Sequence, residues 1–350
     1  MSIDLKLLEK VCQTPGAPGY EQEIRALIIQ TVSPYVDEVQ TDNMGNVYAI
    51  KKGKGDKKVM IGAHMDEIGF IVTHIDDKGF IRFHTLGGFD PKTLTAQRVI
   101  IHGEKDILGV MAAKPIHVMS AEERKQIPKT TDFFIDTGLP KEEVEKYIKI
   151  GDPITRERSF MKMGDCVNSK SLDNRLAVFI LLETLRLLKD EEVPYDIYGV
   201  FTVQEEVGIR GANVSALRIN PDFGFGLDTT IAYDLPGAPK HEQITSLGAG
   251  AAIKIMDAST ICDYRMVAYM KKTANDNKIR WQPEILTAGG TDTAGIQRMT
   301  EGGSIAGAIS IPTRHLHQVI EMAHTDDIAE CLKLLKACVM EIDNYNWSFS

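Results

Sequence analysis

The sequence is short of cysteine, of surplus positive charge and of long apolar runs, and each shortage narrows what the chain can be. Five cysteines (Cys12, Cys166, Cys262, Cys331, Cys338) are odd in number, scattered, and include no CxxC pair. They make neither a disulfide framework nor a zinc ribbon, and a reducing cytoplasm is the compartment they suit. The longest apolar runs, such as LAVFILL at 176–182, fall well below the about 20 residues that span a bilayer. Near the N-terminus, Asp4 and Glu9 interrupt the stretch where a signal peptide needs a continuous apolar core. Forty basic residues against forty-nine acidic ones leave a formal charge of −9, which argues against a general nucleic-acid binder. No fixed-period repeat or low-complexity segment appears. What remains is a chain of ordinary globular composition, 43% hydrophobic and 25% charged, whose 350 residues suggest roughly two domains.

Apolar periodicity divides the chain in two. Residues 1–67 read as α/β: Ile3, Leu7, Leu8 and Val11 recur at helical spacing, and TPGAPG at 14–19 breaks the run. A second helix follows from about Glu21, NMGN at 43–46 marks a hairpin turn, and VMIGAH at 59–64 suits a buried strand. From Ile68 to Asp165 the texture is short β-rich runs (FIVTHI, FIRFHT, RVIIHG, ILGVMAA) separated by polar turns. That pattern predicts a small β-barrel or sandwich inserted into the chain. The α/β rhythm returns over 166–350, with helices predicted at 172–189, 211–219, 262–277 and 325–343 between strands. The fold class is therefore α/β, a mixed sheet flanked by helices in a discontinuous domain (1–67 and 166–350), interrupted by a β module (68–165).

The chemistry-bearing residues cluster where apolar strands run out, the place open α/β sheets put their sites. His64 and Asp66 lie two apart, so on an extended chain both face one side, and Asp66 can accept the second N–H of His64 and fix its tautomer. In FTVQEEVG, Glu205 and Glu206 follow an apolar strand; adjacent side chains diverge, so one can ligate a metal while the other moves protons. A solvated acidic turn is the plainer reading of such a pair. Asp173 opens a strongly apolar helix, where it serves as a capping acid or, more sharply, as a carboxylate bridging two metals. Asp228 ends the apolar strand FGFGL, where a charge is costly unless paired. His315 and His317 follow SIAGAISIP; one can ligate while the other lines a pocket. Imidazole nitrogen and carboxylate oxygen together suit zinc or cobalt better than magnesium.

The ordered set AHMDEIG, SLDNR, EEVG, LD, GGTD (289–292) and PTRxxH, with TPGAPGYE near the start, resembles the dinuclear-metal aminopeptidases that assemble as tetrahedral particles, glutamyl and deblocking aminopeptidases among them. The resemblance spans nearly the whole chain. It implies two divalent metal ions per subunit, zinc first and cobalt second, with His64 and His317 as terminal ligands, Asp173 bridging, and Glu206 and Asp228 completing the shells. It implies Glu205 as general acid/base and Asp66 as the residue orienting His64. His315 stands where the family commonly has Tyr, so the ligand is assigned to His317 and His315 to the pocket, along with Gly290, Thr291 and Asp292. The expected substrates are short peptides with a free N-terminus, bearing a neutral or acidic first residue rather than a basic one. The resemblance further implies a cytoplasmic homo-oligomer, dimers formed through the insert building a dodecamer, with no nucleic-acid or membrane partner. It also implies that the loop in KPIHVMSAEERKQIPKTTD (114–132) approaches a neighbouring subunit's site.

Three other functions fit parts of the same pattern. A dinuclear amidohydrolase acting on N-acyl amino acids would use the same centre with a different pocket. Endoglucanase activity would rest on two carboxylates without metal and would survive chelation. A non-catalytic scaffold would keep the assembly and lose the chemistry.

Overall fold

The computed structural model describes residues 3–349. The expected architecture is present: a mixed eleven-stranded sheet flanked by helices, and a closed six-stranded barrel. At the centre of the sheet four strands run parallel, in the order Asp196–Thr202, Lys58–His64, Phe223–Ile231, Ile305–Arg314. Their sequences are nearly unbroken apolar runs because helices cover both faces. The hairpin strands Glu38–Thr41 and Val47–Lys51 extend one side, paired around the NMGN turn. On the other side lie Glu321–His324, Cys166–Ser169 and Met161–Met163. Ala251–Met256 and Trp281–Ile285 branch from Ile305–Arg314.

Leu172–Leu188 is the central helix. It is apolar almost all round because it lies under the sheet and is itself covered by Leu5–Gln13 and Thr325–Glu341. Leu176, Phe179, Ile180 and Leu181 are fully buried in one continuous core with Ile61, Phe201, Phe225 and Ile309. The last helix packs Ile328, Leu332, Leu335 and Val339 into this core, as their spacing requires. Arg175, fully buried in the first turns of the central helix, donates to the carbonyls of Met65 (2.8 Å), Val11 (2.5 Å) and Thr14 (2.6 Å). It thereby ties the N-terminal helix and the end of the Lys58–His64 strand to the start of the central helix.

The barrel leaves the sheet at Gly69, immediately beyond His64–Glu67, and its strands run from Gly69–Ile75 to Pro153–Arg156. Alternate residues fill it, Ile81 and Phe83 inward with Arg82 and His84 outward, around Phe70, Val99, Ile101, Met111 and Ile135. Met161–Met163 already pairs with Cys166–Ser169 in the large sheet. All five cysteines are free. Among the described residues, no helix is long and apolar enough to cross a membrane.

Candidate metal centre

The C-terminal edge of the parallel strands carries the cluster. His64 is the last residue of its strand, Asp228 lies six residues into Phe223–Ile231, and Glu205 and Glu206 follow Asp196–Thr202 by one short loop. That loop is held from several sides. The Asn46 side chain accepts the Val203 N–H (3.0 Å), and Glu21 accepts the Gln204 N–H (3.3 Å). Gly226 is required two residues before Asp228, because a Cβ there would lie 1.9 Å from Thr293 Oγ1.

Asp173 stands between the two imidazoles. Its Oδ1 is 3.4 Å from His64 Nε2 and its Oδ2 is 3.2 Å from His317 Nε2. His64 Nε2 is also 3.7 Å from Asp228 Oδ1 and 3.8 Å from Glu205 Oε2, while His317 Nε2 is 3.7 Å from Glu206 Oε2. Two groups result, His64–Asp173–Asp228 and Asp173–Glu206–His317, each with its ligand atoms within 4.8 Å of one another and with Asp173 shared. Both rings are turned by carbonyls behind them. His64 Nδ1 lies 3.1 Å from the Asp66 carbonyl oxygen and His317 Nδ1 lies 2.9 Å from that of Gly88, a barrel residue. Each Nδ1 is thus the donor, and each Nε2 is left facing the carboxylates.

The donor set fits dications. Asp173 Oδ1 and Glu206 Oε1 are buried without a hydrogen-bond partner, an expensive condition unless something positive fills the gap. Without a cation, the cluster balances its charge with protons. Burial, reinforced by the Asp173 charge, pushes Glu206 up to about 8, and burial raises Glu205 and Asp228 as well. Burial opposes a charged His317, but the Asp173 carboxylate outweighs it and lifts the ring to about 10. Nitrogen and oxygen donors converging on a shared carboxylate would accept two dications in place of those protons.

The structure departs from the sequence reading at several residues. The Asp66 carboxylate, expected to orient His64, is 3.5 Å from the ring, beyond good hydrogen-bond distance. Its two oxygens accept the backbone N–H groups of Glu205 (3.0 Å) and Glu206 (3.2 Å) instead, so it anchors the glutamate loop. Gly290 and Thr291 line the cavity of about 470 Å³ that opens over the cluster. Asp292 and His315 do not: Asp292 is buried behind it, accepting the Thr202 hydroxyl, and His315 takes part in the turn that closes with the Gln318 N–H (3.2 Å). Sequence reasoning passed over Lys254 and Asp257 in the cavity wall. Lys254 is buried, paired with Glu284 (2.7 Å) and Asp257 (3.4 Å). A lysine inside the apolar strand AAIKIM was the available signal.

The parallel strands of the mixed sheet carry at their C-terminal edge a carboxylate–imidazole cluster that could hold metal ions, and the comparisons give the class, a peptide-bond hydrolase of the aminopeptidase kind. The chain belongs to the M42 glutamyl aminopeptidase family, whose profile matches residues 45–334. It is similar to a putative aminopeptidase of Acetivibrio thermocellus, 41% identical over 94% of this chain and 96% of that one. A lysyl aminopeptidase of Pyrococcus furiosus is 32% identical over 97% of this chain and 98% of its own. Among solved structures, the TET1 peptidase of Pyrococcus horikoshii, which can assemble into a tetrahedron or a large octahedral shell, superposes with a TM-score of 0.86. It is 33% identical, covering 96% of this chain and 99% of that one.

Proposed function

We propose that the chain is a dinuclear-metal aminopeptidase releasing N-terminal residues, neutral or acidic rather than basic, from short peptides. The observation that carries the reading is Asp173, whose two oxygens face two imidazoles on opposite sides. His64, Asp173 and Asp228 would hold one ion and Asp173, Glu206 and His317 the other, zinc first and cobalt second. Divalent cations bound there supply Lewis acidity toward a peptide carbonyl and lower the pKa of water. Glu205 takes the proton of the attacking water and returns it to the departing amine nitrogen. Asp66, through the Glu205 and Glu206 N–H groups, keeps those neighbouring carboxylates on their separate tasks. Apolar cavity walls (Ile209, Leu286, Ala288, Leu316) support a neutral first side chain; the Lys254 ammonium in the wall is already paired with Glu284 and Asp257, so the acidic option rests on the sequence reading alone.

The organisation that accompanies this reading is a catalytic domain of residues 1–67 and 166–350, extended by the Met161–Met163 strand that joins its sheet, and a dimerisation insert within residues 68–165, in a cytoplasmic homo-oligomer of dodecameric type. Leu108 and Val110 are exposed on the barrel, and Ile116, Val118 and Ile127 on the 114–132 loop, as an assembling surface requires. The test is a panel of aminoacyl-anilides with N-acetyl-leucyl controls, assayed before and after chelation and again after zinc or cobalt is restored. Free-amine substrates should be cleaved, chelation should abolish the activity, and metal should restore it. Chelator-insensitive cleavage, preference for the acetylated substrate, or strong preference for lysyl substrates each contradicts a stated part of the reading.

A further inference from the structure

Four residues of the cluster hang by their backbones from two buried carboxylates. Asp66 holds Glu205 and Glu206; the second carboxylate, Glu321, has so far no role. Glu321 is fully buried in the short strand Glu321–His324. Its Oε2 accepts the Asp173 N–H and its Oε1 accepts the His317 N–H, both at 3.0 Å. One side chain therefore spans two elements distant in sequence. His317 needs such support, since its φ of +61° is left-handed and it has a Cβ. Arg156, on the last barrel strand, is also fully buried, and its guanidinium nitrogens have no hydrogen-bond partner. Burial raises Glu321 to about 7, and the charge of Arg156 works against that rise.

We infer that Glu321 is a positioning residue which sets the Asp173–Glu206–His317 cation site by holding the main chain of Asp173 and His317. The inference rests on the dinuclear-metal reading above. Loss of the carboxylate loosens that group, while His64 and Asp228 keep the supports they have from Asp66 and the parallel strands. The test measures metal content and affinity, with cobalt absorption spectra, for the wild type, Glu321→Gln and Glu321→Asp, with circular dichroism and melting curves on each. In Glu321→Gln an amide nitrogen faces one N–H, so the ion of the Asp173–Glu206–His317 group, which loses support at two of its ligands, should bind about 10- to 100-fold more weakly, and the ion that shares only Asp173 should weaken less. Glu321→Asp should recover part of the loss. Two ions bound by Glu321→Gln as tightly as by the wild type overturn the inference. So does equal weakening of both ions, the mark of a merely structural role. Should Glu321→Gln fail to fold, the more conservative Glu321→Asp carries the test: selective weakening of one ion supports the inference and unchanged affinities overturn it. A wild type that binds no cation defeats the metal reading itself, and is told apart because no variant is involved.

Discussion

Replacing Glu205 by Gln is the sharpest perturbation of the proposed chemistry, because distance alone does not separate Glu205 from the ligands. Its Oε2 is 3.8 Å from His64 Nε2, and the proposed ligand Asp228 is 3.7 Å from the same nitrogen. Role must therefore be read from what its loss does. Glutamine keeps the shape, and the loop stays anchored because Asp66 holds the Glu205 N–H rather than its side chain. The metal groups, which do not include Glu205, should keep both ions. What disappears is a basic oxygen able to take and return a proton, a contribution of about 10²- to 10⁴-fold, or roughly 3–5 kcal/mol of barrier. The assay is kcat on a good aminoacyl-anilide with metal content from elemental analysis of the same preparation. A drop in kcat of that size with two ions retained is expected. Near-normal turnover rejects Glu205 as the base, and loss of an ion moves it into the ligand set.

Asp173→Ala should strip metal from both groups, since each contains Asp173, and undiminished metal by elemental analysis would remove it from the bridge. The metal-free protein should lose stability as pH rises. Burial pushes Glu206 to about 8 and Glu321 to about 7 from an ordinary 4.5, so ionising them above about 4.5 weakens the fold until those values are passed. His317, raised by Asp173 against its burial to about 10, contributes stability present below about 6.5 and lost as pH rises toward 10. Both act in one direction, so the gap in melting temperature between metal-loaded and chelated protein should widen from pH 5 to 9; parallel curves would contradict this. Gly226→Ala would drive a Cβ to 1.9 Å from Thr293 Oγ1 and should cost about 1–3 kcal/mol in denaturant unfolding; a cost near zero would mean the helix over Gly226 yields freely.

The cluster was legible because burial leaves a sharp mark: VMIGAH, FTVQEE and FGFGLD change from apolar to acidic or imidazole within one or two residues, and these points meet toward one sheet edge, although the Asp228 strand runs on to Ile231. The insert was legible from its alternation and turns, which a barrel imposes whatever its neighbours are. Partnerships made through the main chain were not. Asp66 shares its two-residue spacing with His64 whether it faces the ring or the glutamate loop, and only the fold brings the Glu205 and Glu206 N–H groups to its oxygens. Glu321 was harder still. IEMAH is too short to show a period, and a lone acid beside Ile320 and Met322 reads as an exposed edge. Its two partners are N–H groups from separate elements, those of Asp173 and His317, which only the fold brings together. The residues that touch a reacting group must have particular side chains and so leave motifs. Those that hold them in place need only an acceptor at the right point in space, and that point is defined by tertiary structure. The barrel belongs to both kinds: its strands announce themselves, while the Gly88 carbonyl behind His317 is a backbone atom that no side-chain pattern can encode.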